Sequence, residues 1–173
     1  FENPQLPIDE LPAYQESDYL PLELAYKKVI NWVSAFFILL FLVGPILLYF
    51  VADIEEEKWI FWVAFGLWFL VSSLIMGLVG PAFRQKGYAV RERDISYKTG
   101  LINRKTTTIP FNRVQHCDIK QGLISRYFGL SKINIYTAGG AKSDLAIPGL
   151  SEEKAQKIMD FVLQKTLAFD EEE

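Results

Sequence analysis

The fold is decided by two apolar stretches, INWVSAFFILLFLVGPILLYFVA at residues 30–52 and WIFWVAFGLWFLVSSLIMGLVGPAF at residues 59–83. Neither stretch contains an Asp, Glu, Lys or Arg. Each is longer than the roughly 20 residues that a helix needs to cross the hydrocarbon core of a bilayer. Only the short segment 53–58, DIEEEK, separates them. The sequence therefore predicts a hairpin of two membrane-spanning helices within residues 29–83.

Charge is distributed unevenly around this hairpin. Residues 1–28 contain six acidic residues, four prolines and two lysines, a composition that predicts an extended or loosely ordered segment. Residues 84–169 contain fifteen Lys and Arg against seven Asp and Glu, a net charge of +8, and residues 170–173 form an acidic tail. We therefore expect four regions: an N-terminal acidic segment 1–28, the hairpin 29–83, a basic domain 84–169 and the tail 170–173.

Basic residues at the helix ends predict the orientation of the hairpin, because cytoplasmic flanks of membrane helices carry an excess of Lys and Arg. The loop 53–58 contains Lys58 alone. The outer flanks contain six basic residues, Lys27, Lys28, Arg84, Lys86, Arg91 and Arg93. Both termini and the domain 84–169 are therefore predicted to be cytoplasmic, with the loop 53–58 outside. The lack of ionisable residues inside the helices argues against a transporter or pump.

After residue 83 the hydrophobic pattern changes to the alternation of β-strands. Short β-branched segments with Gly or Pro between them predict an antiparallel sheet that curls into a sandwich or barrel. An amphipathic helix is predicted to follow, with Ser151 as its N-cap. Its apolar face comprises Ala155, Ile158, Met159, Val162, Leu163 and Thr166.

The single histidine and the single cysteine, His116 and Cys117, are adjacent within one of these alternating segments. Successive side chains of a strand point to opposite faces of the sheet. A shared metal site or a reactive pair is therefore not expected, and both residues are predicted to be structural.

Spaced landmark residues recur along the predicted strands. They are Tyr88-x-Val90-x-Glu92-Arg93-x-Ile95-x-Tyr97-x-Thr99-Gly100-Leu101-Ile102, Thr108-Ile109-Pro110-x-x-Arg113-Val114-Gln115, Gln121-Gly122-x-x-x-Arg126-x-Phe128-Gly129-Leu130 and Ile147-x-Gly149-Leu150. These motifs resemble the bacterial pleckstrin-homology-like (bacterial PH) domain of YdbS-like membrane proteins, in which two membrane helices precede one such domain. The resemblance covers residues 29–168. It implies a membrane α-helical hairpin plus a mostly-β, bent antiparallel seven-stranded barrel capped by a C-terminal helix, at the cytoplasmic face of the bacterial inner (plasma) membrane.

Two of the landmarks have a direct structural interpretation. Gly100 is predicted to permit a tight turn between strands, where a side chain would clash. Pro110 can end a strand without leaving an N–H group unpaired.

The landmark segment 126–130 is interpreted as a short turn. Gly129 is predicted to take a positive φ angle, and Phe128 to insert into the core. Arg126 is expected to pair with Asp118 or Asp144, or to cap backbone carbonyls.

The candidate contact residues for a lipid or a partner are the surplus basic residues. Lys98, Arg104 and Lys105 flank the predicted hairpin turn at which lipid-binding eukaryotic PH domains hold a basic cluster, although their spacing differs here. Arg91 and Arg113 complete the candidate set. A basic module near an anionic leaflet gains about 1 kcal/mol for each well-placed cation. A solvated basic surface that follows from the positive-inside bias is the alternative interpretation.

No enzyme is predicted, because the chain lacks a phosphate-binding Gly-rich loop, a nucleophilic Ser elbow and a pair of histidines. The Gly139-Gly140 pair is interpreted as a hairpin turn. We therefore expect no catalytic residue, cofactor, metal or small-molecule substrate, and no nucleic-acid partner, since basic and aromatic residues are not interleaved.

The predicted function is a non-enzymatic inner-membrane protein that presents its PH-like domain as a protein-interaction or assembly platform. The resemblance implies a homo-oligomer or a complex with another membrane protein of the same domain family. The alternative is an anionic-lipid-binding module that docks on the inner leaflet through its basic surface.

Overall fold

Two long helices account for the apolar part of the chain. A computed structural model describes residues 18–51, 58–138 and 143–170. Helix α1 spans Leu24–Val51 and helix α2 spans Lys58–Arg84, so both predicted helices are confirmed. The connecting residues 52–57 lie outside the described part.

The surface of the hairpin matches a lipid environment. Both helices are long and apolar enough to span a membrane, and only 6% of each apolar window is buried. The core helices of a soluble protein are mostly buried. These two helices are mostly exposed, as expected for helices surrounded by lipid. The helices contact each other through Tyr49 and Phe61, whose ring centroids are 5.1 Å apart. The Trp68 indole N–H also donates a hydrogen bond to the Ile38 carbonyl oxygen, at 3.1 Å.

The rest of the described chain forms two antiparallel sheets and two further helices. The first sheet has the order β1-β2-β3-β4, and the second has the order β5-β6-β7. The strands are β1 (Leu20–Pro21), β2 (Gly87–Val90), β3 (Asp94–Thr99), β4 (Lys105–Pro110), β5 (Val114–Lys120), β6 (Leu130–Thr137) and β7 (Leu145–Ser151), and the helices are α3 (Leu123–Tyr127) and α4 (Glu152–Asp170).

The predicted bent seven-stranded barrel is confirmed only in part. Seven antiparallel strands and a C-terminal helix are present in the described ranges, but the two sheets are not joined into one closed ladder. The break follows Pro110, which has no N–H to donate. A 3₁₀ turn over Phe111–Arg113 then carries the chain to the other sheet. Strand β1 also precedes the membrane hairpin, within the segment 1–28, and was not among the strands predicted from the pattern.

The core lies between the two sheets and is covered by α4. Ile95, Phe111, Ile133 and Ile147 are fully buried there. Helix α4 contributes its predicted apolar face to this core, through Ala155, Ile158, Met159 and Val162. Two residues of the predicted face are not part of this core: Leu163 remains 40% exposed, and the Thr166 hydroxyl donates to the Val162 carbonyl oxygen. The predicted N-cap is confirmed by a hydrogen bond from the Lys154 N–H to the Ser151 hydroxyl, at 3.3 Å.

The domain packs directly on the helical hairpin. The Glu23 N–H donates to the Gly149 carbonyl oxygen at 3.0 Å, immediately before α1 begins. Val79 and Phe83, near the end of α2, are buried, and Phe83 belongs to the domain core. Strand β1 pairs with β2 on the other side of the hairpin in sequence. Both ends of the hairpin are therefore built into the domain fold.

Candidate functional site

The five predicted contact cations lie at two opposite ends of the first sheet. In the strand register Lys98 is opposite Gly87, and Thr99 is opposite Lys105. Gly87 follows the end of α2, at Arg84, by three residues. Lys98, Arg104 and Lys105 are thus grouped at the end of the sheet that adjoins the membrane helices.

The other two candidates lie at the far end of the same sheet. Arg91 forms an ion pair with Asp94 at 3.6 Å, and Asp94 is opposite Pro110 in the register. Arg113 follows Pro110 by three residues and is exposed. Six residues of β3 separate the two ends, a length of on the order of 17 Å. The structure therefore does not bring the five predicted cations together.

Two lysines near the membrane helices contact aromatic rings within the protein. The Lys98 ammonium lies 4.3 Å from the centroid of the Tyr19 ring. The Lys86 ammonium lies 5.4 Å from the centroid of the Tyr26 ring, and burial lowers the pKa of Lys86. The first cation–π contact holds the segment around β1 against the sheet, and the second joins the residues that follow α2 to the first turn of α1. Lys98 thus has a structural role in addition to any role in a contact surface.

The two turn landmarks are found as predicted. Gly100 has a φ of +104°, and a Cβ there would overlap the Asn103 carbonyl. Pro110 is the last residue of β4, a strand at the edge of its sheet. The sequence interpretation of both residues is confirmed.

The landmarks around α3 are only partly as predicted. Gly129 has the expected positive φ, +64°. Phe128 is half-buried and packs edge-on against Tyr127, with centroids 5.2 Å apart, but it is not part of the core cluster. Arg126 is exposed, and within the described residues it forms no ion pair with Asp118 or Asp144. The predicted pairing of Arg126 was wrong, because each of those carboxylates is held by its own cross-strand neighbours.

His116 and Cys117 point to opposite faces of β5, as the alternation predicts. Cys117 packs against the core, and burial raises the pKa of its thiol. His116 is exposed and stacks on Tyr136 with ring centroids 4.2 Å apart. In the described ranges no three His, Cys, Asp or Glu residues are placed to hold a metal ion.

A polar cluster on the outer face of the second sheet was missed in the sequence. The Asp118 carboxylate accepts hydrogen bonds from Asn134 and Tyr136, and Lys120 lies 3.1 Å from it. Burial opposes ionisation of Asp118, but the hydrogen bonds from Asn134, Lys120 and Tyr136 outweigh it and lower the pKa of the carboxyl. The cluster depends on the β5–β6 register, in which Asp118 is opposite Asn134. Sequence alternation alone does not give that register.

A groove between β2 and α4 was also missed. Its volume is about 520 Å³. Tyr88, Val90, Ile158 and Phe161 form an apolar floor, and Leu20 forms one wall. The rim carries four charged residues, Arg91, Glu92, Lys154 and Lys157. Residues from three distant parts of the chain thus form one concave surface.

The groove adjoins a strand edge that, among residues 18–51, 58–138 and 143–170, is paired by β1 only in part. Strand β1 pairs only with Gly87 and Tyr88. The Arg91 N–H bonds to the Asp94 carbonyl on the β3 side, at 2.9 Å. Because hydrogen-bonding direction alternates along a strand, the backbone N–H and C=O of Val90 face the opposite side, where no strand of the described residues pairs with them. The groove therefore combines apolar side chains with main-chain hydrogen-bonding groups.

Comparison with known protein families finds a match over most of the chain. The family described as "Bacterial PH domain" matches residues 21–166, a range that begins in β1 and includes both membrane helices. This chain belongs to the bacterial PH domain family. The hairpin and the second residue of β1, Pro21, therefore lie inside the region that the family match covers.

Two proteins from Bacillus subtilis (strain 168) are similar in sequence to this chain. The UPF0699 transmembrane protein YdbS is 28% identical over 118 residues, which cover 66% of this chain and 72% of YdbS. The UPF0699 transmembrane protein YdbT is 28% identical over 100 residues, which cover 57% of this chain but only 19% of YdbT. No solved structure matches the chain. The names of the relatives and the two apolar helices identify a membrane protein, and neither name states an enzymatic activity.

Proposed function

We propose that this chain is a non-enzymatic, membrane-anchored protein whose bacterial PH domain binds a protein partner in the groove between β2 and α4. The observation that carries this proposal is the apolar floor of the groove, formed by Tyr88, Val90, Ile158 and Phe161, beside a strand edge that the described residues pair only at Gly87 and Tyr88. An extended segment can add to such an edge through main-chain hydrogen bonds and place alternate side chains on the floor.

The rim of the groove favours apolar contacts over charge recognition. The Lys154 ammonium pairs with Glu23, and the Lys157 ammonium pairs with Glu153. Arg91 pairs with Asp94. Because these cations already have anionic neighbours, a partner gains most by burying apolar side chains, at roughly 25 cal/mol per Å² removed from water.

The partner we propose is a second copy of this chain or a longer membrane protein of the same family. YdbT supports the second possibility, since its similarity to this chain covers only 19% of a much longer protein. Two proteins that are both fixed in one membrane meet at a high effective concentration, so a groove of modest size is sufficient.

The proposed location is the cytoplasmic face of a bacterial plasma membrane. The excess of Lys and Arg at the outer helix flanks, against Lys58 alone between the helices, supports it. Protease added outside intact cells should then leave the domain uncut, and cleavage within it would contradict this orientation.

The groove can be tested by placing a photo-crosslinking amino acid at Leu20, which is 53% exposed on the groove wall. A discrete adduct should form in native membranes. Mass spectrometry should identify it as a second copy or as a family member. Leu20→Asp should abolish the complex, measured as the mass of the purified protein in detergent.

Leu167→Asp is the matched control, because Leu167 is 64% exposed on α4 and does not line the groove. That variant should keep the complex. A monomeric wild-type protein, or equal losses in the two variants, would contradict the proposal.

A further inference from the structure

Three large apolar side chains project from the domain with almost no cover. Ile102 is 92% exposed, Leu123 is 91% exposed and Tyr127 is 86% exposed. They lie on two separate turns, the β3–β4 turn and the short helix α3. Exposed apolar side chains that lie together on a surface mark a site of contact with a membrane, a ligand or another protein.

The β3–β4 turn is at the membrane end of the first sheet. Lys98 is opposite Gly87, three residues after α2 ends, and the strand continues towards the helices beyond that point. Thr99 and Lys105 form the last pair, so Ile102 lies at the tip of the turn. At about 3.3 Å per residue the tip extends on the order of 10 Å past Gly87.

Helix α3 is at the membrane end of the second sheet. It ends three residues before Leu130, which is opposite Ser151 in the β6–β7 register. Gly149, two residues before Ser151, packs against Tyr26 in the first turn of α1. Helix α3 itself lies beside α1. Both apolar turns therefore flank the point at which the hairpin leaves the domain.

Basic residues surround these apolar tips. Arg104 and Lys105 follow Ile102, and Arg126 lies between Leu123 and Tyr127 along the chain. Lys27 and Lys28 occupy the first turns of α1, and Arg84 ends α2. Protein segments that combine exposed apolar and aromatic side chains with nearby basic residues lie at the boundary between lipid headgroups and acyl chains.

We propose that Ile102 and the α3 residues Leu123 and Tyr127 insert into the leaflet next to the hairpin. The bilayer is the occupant of this surface because the surface is continuous with the membrane helices, through the contacts of Gly149 with Tyr26 and of β1 with β2. Insertion fixes the domain on the membrane. The inference does not depend on any partner in that groove.

The test uses the full-length protein in lipid nanodiscs. Cys117 is the single cysteine, so a Cys117→Ala background accepts one new cysteine at position 102, 123 or 112. Position 112 is the control, since Asn112 is exposed at the far end of the domain, beyond Pro110. Each site is labelled with an environment-sensitive fluorophore and exposed to lipids that carry a nitroxide in the upper acyl chain, or to iodide in the water.

Labels at 102 and 123 should be quenched severalfold more by the nitroxide lipids than the label at 112, and severalfold less by iodide. Tyr127→Asp should reduce lipid quenching at position 123, whereas Asn112→Asp should not. Labels that iodide reaches equally at all three sites would overturn the proposal. Labels shielded from both quenchers would also overturn it, because protein and not lipid would then cover the surface.

The lipid composition of the nanodiscs separates apolar insertion from charge attraction. Insertion of apolar tips should persist in neutral phosphatidylcholine and become stronger with anionic phosphatidylglycerol. Lipid quenching at 102 and 123 that requires anionic lipid and disappears at high salt would contradict insertion through Ile102 and Leu123.

Discussion

The ring of Tyr26, in the first membrane helix, occupies the space that a side chain at position 149 would need. A Cβ atom at Gly149 would lie within 2.7 Å of the Cβ, Cγ and Cδ1 atoms of Tyr26. Gly149 also has a φ of +69°, in the left-handed region. The last strand of the domain and the first turn of α1 therefore approach closely only because residue 149 has no side chain.

Gly149→Ala should accordingly loosen the junction between the hairpin and the domain. The left-handed backbone alone costs a non-glycine residue about 1–3 kcal/mol, and the overlap with Tyr26 adds to that cost. We expect the solubilised variant to unfold at a lower urea concentration than the wild type. We also expect a protease to cut it faster on the C-terminal side of residue 21.

Gly122→Ala provides the control for this substitution. Gly122 has a φ of −75°, and nothing lies within 4 Å of a Cβ built there. Its unfolding midpoint should stay near that of the wild type. Equal effects of the two alanines would show that the Tyr26–Gly149 contact does not hold the junction.

The carboxylate of Asp118 is expected to stabilise the second sheet by satisfying Asn134, which is 2% exposed. Asp118→Ala leaves that buried amide without its acceptor, at a cost of about 1–3 kcal/mol. Asp118→Asn retains an acceptor and should cost less. Urea unfolding followed by near-ultraviolet circular dichroism measures both variants, and an equal cost would contradict the role of the hydrogen bond.

The same carboxylate predicts a pH dependence. The pKa of Asp118 is lowered in the folded protein below its ordinary value of 3.8, so ionised Asp118 favours folding. Its contribution is complete above that value and is lost as the pH falls through the lower folded pKa. The stability difference between the wild type and Asp118→Asn should be constant from neutral pH to about pH 5 and shrink below pH 4. A difference that shrinks between pH 7 and pH 5 would assign the effect to another group.

Local patterns were sufficient to predict the helices and most of the strands. Residues 30–52 and 59–83 are long and uncharged, and few structures other than a membrane span satisfy that composition. Strand β1 was not predicted, because it has only two residues, one of them Pro21, and such a short segment shows no hydrophobic alternation. It forms because it pairs with Gly87 and Tyr88 of β2, which follows the hairpin in the sequence.

The candidate surfaces were harder to predict because they depend on contacts between distant residues. Sequence proximity grouped Lys98, Arg104 and Lys105 correctly, but it could not show that Arg91 lies at the opposite end of the sheet. The groove joins Leu20 to Ile158, and only the paired strand β1 brings them together.

The hydrogen bond between Trp68 and Ile38 leads to a prediction for the hairpin itself. The Trp68 indole N–H reaches a backbone carbonyl of the facing helix, at 3.1 Å, in a region without water to replace it. Trp68→Phe keeps most of the apolar contact and removes the donor. Hydrogen bonds between membrane helices average about 0.6 kcal/mol, with a maximum near 1.7 kcal/mol, so we expect a small loss of helix–helix stability within that range. Denaturation with sodium dodecyl sulfate in mixed micelles, followed by tryptophan emission, measures this loss of stability.

Trp62→Phe is the control, since Trp62 is 67% exposed on the outer surface of α2. If Trp62→Phe destabilises the hairpin as much as Trp68→Phe does, the loss comes from the change in ring size and not from the hydrogen bond.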